Sequence, residues 1–73
     1  MNAVYRYYCR FRPPMPGAIP RNGLQNVCAF DVKDVVFDNV EAWGYADYDR
    51  PLTEKEINDY ELAASPNNPL EYQ

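Results

Sequence analysis

Apolar and polar positions alternate cleanly from Ala3 to Arg12, with Tyr5, Tyr7, Cys9 and Phe11 on one side and Arg6, Tyr8, Arg10 and Arg12 on the other. A period of two is that of a strand with one buried face and one face toward water or a partner. Pro13 and Pro14 should stop this strand. The segment from Pro13 to Gly23 holds four of the seven prolines and two of the three glycines, so it is expected to be extended or turning rather than paired. Val27 to Val32 alternates again and reads as a second strand, followed by a Lys33-Asp34 turn. Val35 to Phe37 either extends that sheet or forms a short ledge. Asp38-Asn39 reads as a further turn, and Val40 to Tyr48, rich in aromatics and alanine, as a third strand. Gly44 inside it marks a bulge or the close approach of another backbone.

The helix signal lies after Asp49-Arg50-Pro51. Thr53 followed three residues later by Glu56 is a capping-box spacing, and Leu52 and Ile57 occupy the flanking staple positions, so a helix is predicted to begin at Glu54. Ile57, Tyr60 and Ala64 recur at helical spacing and should pack on the sheet over a helix of roughly ten residues, too short to stand alone. The pattern therefore predicts an α+β fold. It consists of a three-stranded, mainly antiparallel sheet with one C-terminal helix across one face, Ile57 and Tyr60 meeting Tyr5, Tyr7 and Phe11. Residues 1–64 form the single domain, and residues 65–73, opening with Ser65-Pro66-Asn67-Asn68-Pro69, form a flexible tail.

Composition narrows the chemistry. The 73-residue chain has no His, and Ser65 and Thr53 are its single serine and threonine. A Ser-His-Asp arrangement cannot be built, and the carboxylates of Asp47 and Asp49 beside Tyr45 and Tyr48 show no spacing that singles them out as an acid and base pair. No enzyme activity, catalytic residue or cofactor is expected. Cys9 and Cys28 without imidazole make a metal site unlikely, and free thiols are favoured over a bridge. There is no long apolar run and no signal-peptide pattern near the N-terminus, so no membrane contact and a cytoplasmic location are expected.

Charge is divided along the chain. Residues 1–30 carry four arginines and no acid, a charge of +4, whereas the remainder carries −8 and brings the total to −4. The bland explanation is internal pairing between the two halves. Three sharper readings compete with it. The Arg6, Tyr8, Arg10 and Arg12 face resembles a platform for phosphates and one stacked base, although the overall negative charge opposes that use. The acids from Asp31 to Glu61 offer a surface for a basic partner or an imitation of nucleic-acid phosphates. Finally, Arg6, Tyr8, Arg10, Arg12, Met15 and Pro16 form a candidate docking surface for a protein, with the proline segment supplying a low-entropy apolar edge. The last is preferred: a non-enzymatic binding module for a protein partner. Homodimerisation is a further expectation, from the small core and an uncovered sheet edge.

Three blocks carry a family resemblance: Arg10-Phe11-Arg12-Pro13-Pro14-Met15-Pro16-Gly17-Ala18-Ile19-Pro20, then Trp43-Gly44-Tyr45, then Tyr48-Asp49-Arg50-Pro51-Leu52-Thr53 with Tyr60-Glu61-Leu62. In these the chain resembles a small protein family of Gram-positive gut bacteria, often encoded in integrated mobile elements. The resemblance implies a cytosolic accessory protein whose partner is encoded by such an element or by host defence. It implies no particular activity.

Overall fold

The computed structural model describes residues 2–15 and 17–72. Strands β1 (Asn2–Cys9), β2 (Leu24–Phe37) and β3 (Val40–Tyr48) are followed by helix α1 (Glu54–Asp59) and the short strands β4 (Leu62–Ala64) and β5 (Leu70–Tyr72). All pairings are antiparallel, with β2, β3, β1 and β4 side by side in that order and β5 pairing with the start of β1. The three-stranded sheet expected from the pattern is thus corrected to four strands and a fifth short one, within a fold that remains α+β and small.

The extra strands arise because β1 has two edges whose backbone groups need partners. One edge pairs with β3, setting Tyr5 opposite Tyr48, Tyr7 opposite Ala46 and Cys9 opposite Gly44. Along the other, Leu62 and Ala64 oppose Cys9 and Tyr7, and Leu70 opposes Val4. Arg6 lies between these two stretches. Its N–H donates to Asn68 Oδ1 at 2.8 Å, while Asn68 Nδ2 and the Ser65 N–H donate to its carbonyl, each at 2.9 Å. The side-chain amide of Asn68 stands where a strand residue would. Part of the segment expected as a tail therefore completes the sheet.

Local signals in the sequence explain the other elements. Asp38 and Asn39 both take positive φ, 42° and 61°, as a two-residue hairpin between β2 and β3 requires. Thr53 caps α1, and Glu56 reaches back to the Thr53 N–H at 3.0 Å, forming the predicted capping box. The helix is shorter than expected: Tyr60 caps it, and Glu61, at φ 57°, turns the chain into β4. Ala64 consequently lies in a strand.

Beneath the helix and the proline segment, Tyr7, Cys9, Ile19, Ala46, Tyr48, Leu52 and Leu62 form the core, with Tyr5, Leu24, Ile57 and Tyr60 packed at its margin. Tyr7 and Tyr48 meet edge to face at 5.9 Å. Both hydroxyls find partners inside: Tyr48 donates to the Pro20 carbonyl at 2.6 Å, and the Tyr7 oxygen accepts from the Leu52 N–H at 2.9 Å. Burial pushes the Tyr48 phenol above its usual range and the Cys9 thiol up to about 11. Cys9 and Cys28 are both free. Phe11, expected in this core, is instead 61% exposed, because β1 ends at Cys9 and the chain bends away before Pro13.

Two outcomes follow from this packing. A Cβ at Gly44 would overlap the Cys28 carbonyl oxygen and approach Ala29 Cα and Pro14 Cδ to 2.9 Å. Gly44→Ala should therefore destabilise the fold by about 3 kcal/mol in urea denaturation, since neither backbone nor proline ring yields easily. The Glu56 carboxyl is held down at about 2, first by its hydrogen bond from Arg50 and then by the Thr53 backbone, against an ordinary value of 4.5. A folded-state value below the unfolded one stabilises fully above the unfolded value and is lost as pH falls through the folded one. The melting temperature of Glu56→Gln should lie below wild type at pH 7, and the two should converge between about pH 5 and 2.

Candidate functional site

The sheet face opposite the core is built from Arg6 and Tyr8 of β1, Tyr45 and Asp47 of β3, and Phe30 and Phe37 of β2. Register places Arg6 opposite Asp47 and Tyr8 opposite Tyr45. Arg6 Nε donates to Asp47 Oδ1 at 2.7 Å and Nη2 to Oδ2 at 3.0 Å, a two-pronged pair whose carboxylate side chain is only 2% exposed. The same guanidinium lies 3.8 Å from the centre of the Tyr45 ring. Tyr8 packs against Tyr45 and Phe37 at 6.0 and 5.6 Å, and Phe30 meets Tyr45 at 6.0 Å. The neighbouring Cys28 thiol, then burial, raise the Tyr45 phenol above its usual range.

This arrangement divides the arginine row. Arg6 is enclosed, and Tyr8 is half-buried within the aromatic cluster. Arg10 and Arg12 lie beyond the end of β1. Arg10 is exposed, with its guanidinium 4.9 Å from the Phe11 ring, while exposed Arg12 pairs with Glu61. Arg10 and Phe11 border a shallow depression of about 260 Å³ shared with Lys33, Asn39, Val40 and Glu41. Met15, 54% exposed, lies on the other side of the proline segment in an apolar groove of about 300 Å³ formed with Pro14, Ile19, Arg21, Leu24 and Val27. Pro16 lies outside the described residues. The five described candidates thus do not form one surface: Arg6 and Tyr8 belong to the packed sheet face, Arg10 to one depression and Met15 to another, while Arg12 pairs with Glu61.

Sequence reading missed Arg21, Leu24 and Val27 as neighbours of Met15. The signal was the proline segment itself, whose Met15 and Ile19 lie against Leu24 and Val27 of the strand that follows it, while Pro14 packs close to Gly44 of β3. Among the described residues no group of three or more Cys, Asp or Glu is arranged to hold a metal ion, and no helix is long and apolar enough to cross a membrane.

Residues 2–67 match the family described as "Defence against restriction A C-terminal". The chain belongs to this family. It is also 34% identical over 63 residues to the "Defense against restriction protein A" of Escherichia phage P1, a match covering 86% of this chain and 10% of the phage protein. The chain therefore spans about a tenth of the length of that curated relative. No solved structure matches. A phage relative agrees with the expected association with mobile elements; it does not bear on Gram-positive gut bacteria.

The buried ion pair gives a direct test of how this face is held together. Removing one partner strands the other, so Asp47→Leu and Arg6→Met should each cost about 3 kcal/mol, whereas the double substitution of the same two residues should cost less than the sum of the two. Denaturation of the four proteins measures the coupling, and simple additivity would remove the pair from the account.

Proposed function

We propose that this domain is a non-enzymatic accessory module of a defence-against-restriction system that works by engaging a protein partner. The observation that carries this reading is the placement of Phe11 and Met15. Both flank the proline segment, stand 61% and 54% exposed, and contribute nothing to the buried core. Large exposed apolar side chains beside a stiff, low-entropy segment are what a protein interface uses as anchors. Membership of a family named for defence against restriction supports a partner among phage or host proteins.

The division of the guanidinium groups supports a protein over a phosphate backbone. Arg6 and Arg12 are engaged by Asp47 and Glu61, and the chain as a whole carries −4. A surface neutralising phosphates needs several cations in one stripe, and its affinity falls steeply with salt. The proposed contact relies on apolar burial instead.

The test is recovery of the partner from lysate of the natural host, with nuclease added, at about 0.1 and 0.4 M salt. The partner should be retained at both salt concentrations and reduced at least tenfold by Phe11→Ser combined with Met15→Ser, with the circular dichroism of that variant unchanged. Binding that disappears with nuclease, or with the higher salt alone, would contradict the reading.

A further inference from the structure

Strand β2 is the end strand of the sheet and pairs with β3 alone. Among the described residues, backbone bonds made by turns and loops involve none of residues 25–37. Its outer edge is thus a row of N–H and C=O groups open to an added strand. Register shifts interrupt it on both sides, between Leu24 and Asn26 and again between Ala29 and Asp34, where β3 advances only from Gly44 to Ala42. Bulges of this kind block pairing along a long edge. What remains regular is Asn26 to Ala29, a length suited to a short peptide rather than to a sheet-to-sheet dimer.

The Met15 groove adjoins this edge, because Leu24 and Val27 of β2 form part of its wall. Val27 shares the core-side face with Ala46, yet is 40% exposed. At about 300 Å³ the groove lies at the low end of the roughly 300–1,000 Å³ of small-molecule pockets, room for a residue or two. Its lining includes no carboxylate and one cation, Arg21. Arg21 is exposed and makes no ion pair among the described residues, unlike Arg6, Arg12 and Arg50.

We infer that this groove and the adjoining edge of β2 bind a short extended segment of a protein partner, carrying a bulky apolar residue and, two positions away on the same face, an Asp or Glu. The segment adds a strand along Asn26 to Ala29, its apolar side chain enters between Met15, Ile19 and Val27, and its carboxylate meets Arg21. Main-chain bonds supply affinity and the groove with its cation supplies selection, as in other cases of strand addition. The inference rests on the protein-partner reading and adds the chemistry that the partner presents.

The test is selection of peptides from a random nine-residue display library on the 73-residue chain, run in parallel on Arg21→Glu. Wild type should enrich Leu, Ile or Phe two positions from Asp or Glu. Arg21→Glu should bind those peptides at least tenfold more weakly and enrich Lys or Arg at the acidic position instead. Amide exchange on a selected peptide complex should show new protection at residues 26–29. Peptides that bind both proteins equally, or that protect residues around Phe11 and leave 26–29 unchanged, would overturn the groove while leaving the protein-partner reading in place. Enrichment of no peptide would overturn the groove as well. Capture from lysate that disappears with nuclease, or with the higher salt alone, is the separate result that would overturn the wider reading.

Discussion

The two-pronged bond from Arg6 to Asp47 is the constraint on which the rest of the structure turns. A carboxylate buried to 2% exposure is costly unless a partner satisfies both its oxygens, and Arg6 does so from the adjacent strand while lying over the Tyr45 ring. This fixes the register of β1 against β3 on the face away from the core. It also anchors the aromatic cluster of Tyr8, Phe30, Phe37 and Tyr45 around a polar centre, so that both faces of a small sheet are packed. The backbone of the same residue, bonded to Asn68 and Ser65, ties the C-terminal segment to the opposite edge of β1. One residue therefore serves three layers of order.

Function follows from what this arrangement uses up and what it leaves over. Two guanidinium groups of the arginine row are spent internally, one part-buried against Asp47 and one in an exposed pair with Glu61. Among the described residues, large apolar side chains are left exposed beside the proline segment, at Phe11, Met15 and Val27, and further along β2 at Val32 and Val35. The groove at Met15 is apolar with one cation, Arg21, a composition suited to protein side chains. The division of charge along the chain is in part the internal complementarity that the bland explanation describes, since Arg6 and Arg12 of the first half meet Asp47 and Glu61 of the second.

Much of this was legible in the chain where the signal is local. Alternation marked β1, aromatic and alanine content marked β3, Asp38-Asn39 marked the hairpin, and Thr53 with Glu56 marked the start of α1. Three kinds of feature were not. Strands β4 and β5 have three residues each and no alternation; they form because the outer edge of β1 requires partners, and a side-chain amide bridges the gap between them. Phe11 continues the period of two in sequence after the strand itself has ended, so pattern alone assigned it to a core it does not reach. The Arg6 and Asp47 pair joins residues 41 apart, and no local pattern distinguishes the arginine that will be buried from those that will not.

The most direct measurement of the central claim is nitrogen-15 NMR of the arginine side chains. Arg6 Hε should exchange with water far more slowly than Arg10 Hε and carry a ring-current shift from Tyr45, both persisting at high salt. Equal, rapid exchange at Arg6 and Arg10 with no ring-current shift would show an open guanidinium row, and the division between a sealed sheet face and free apolar flanks would fall.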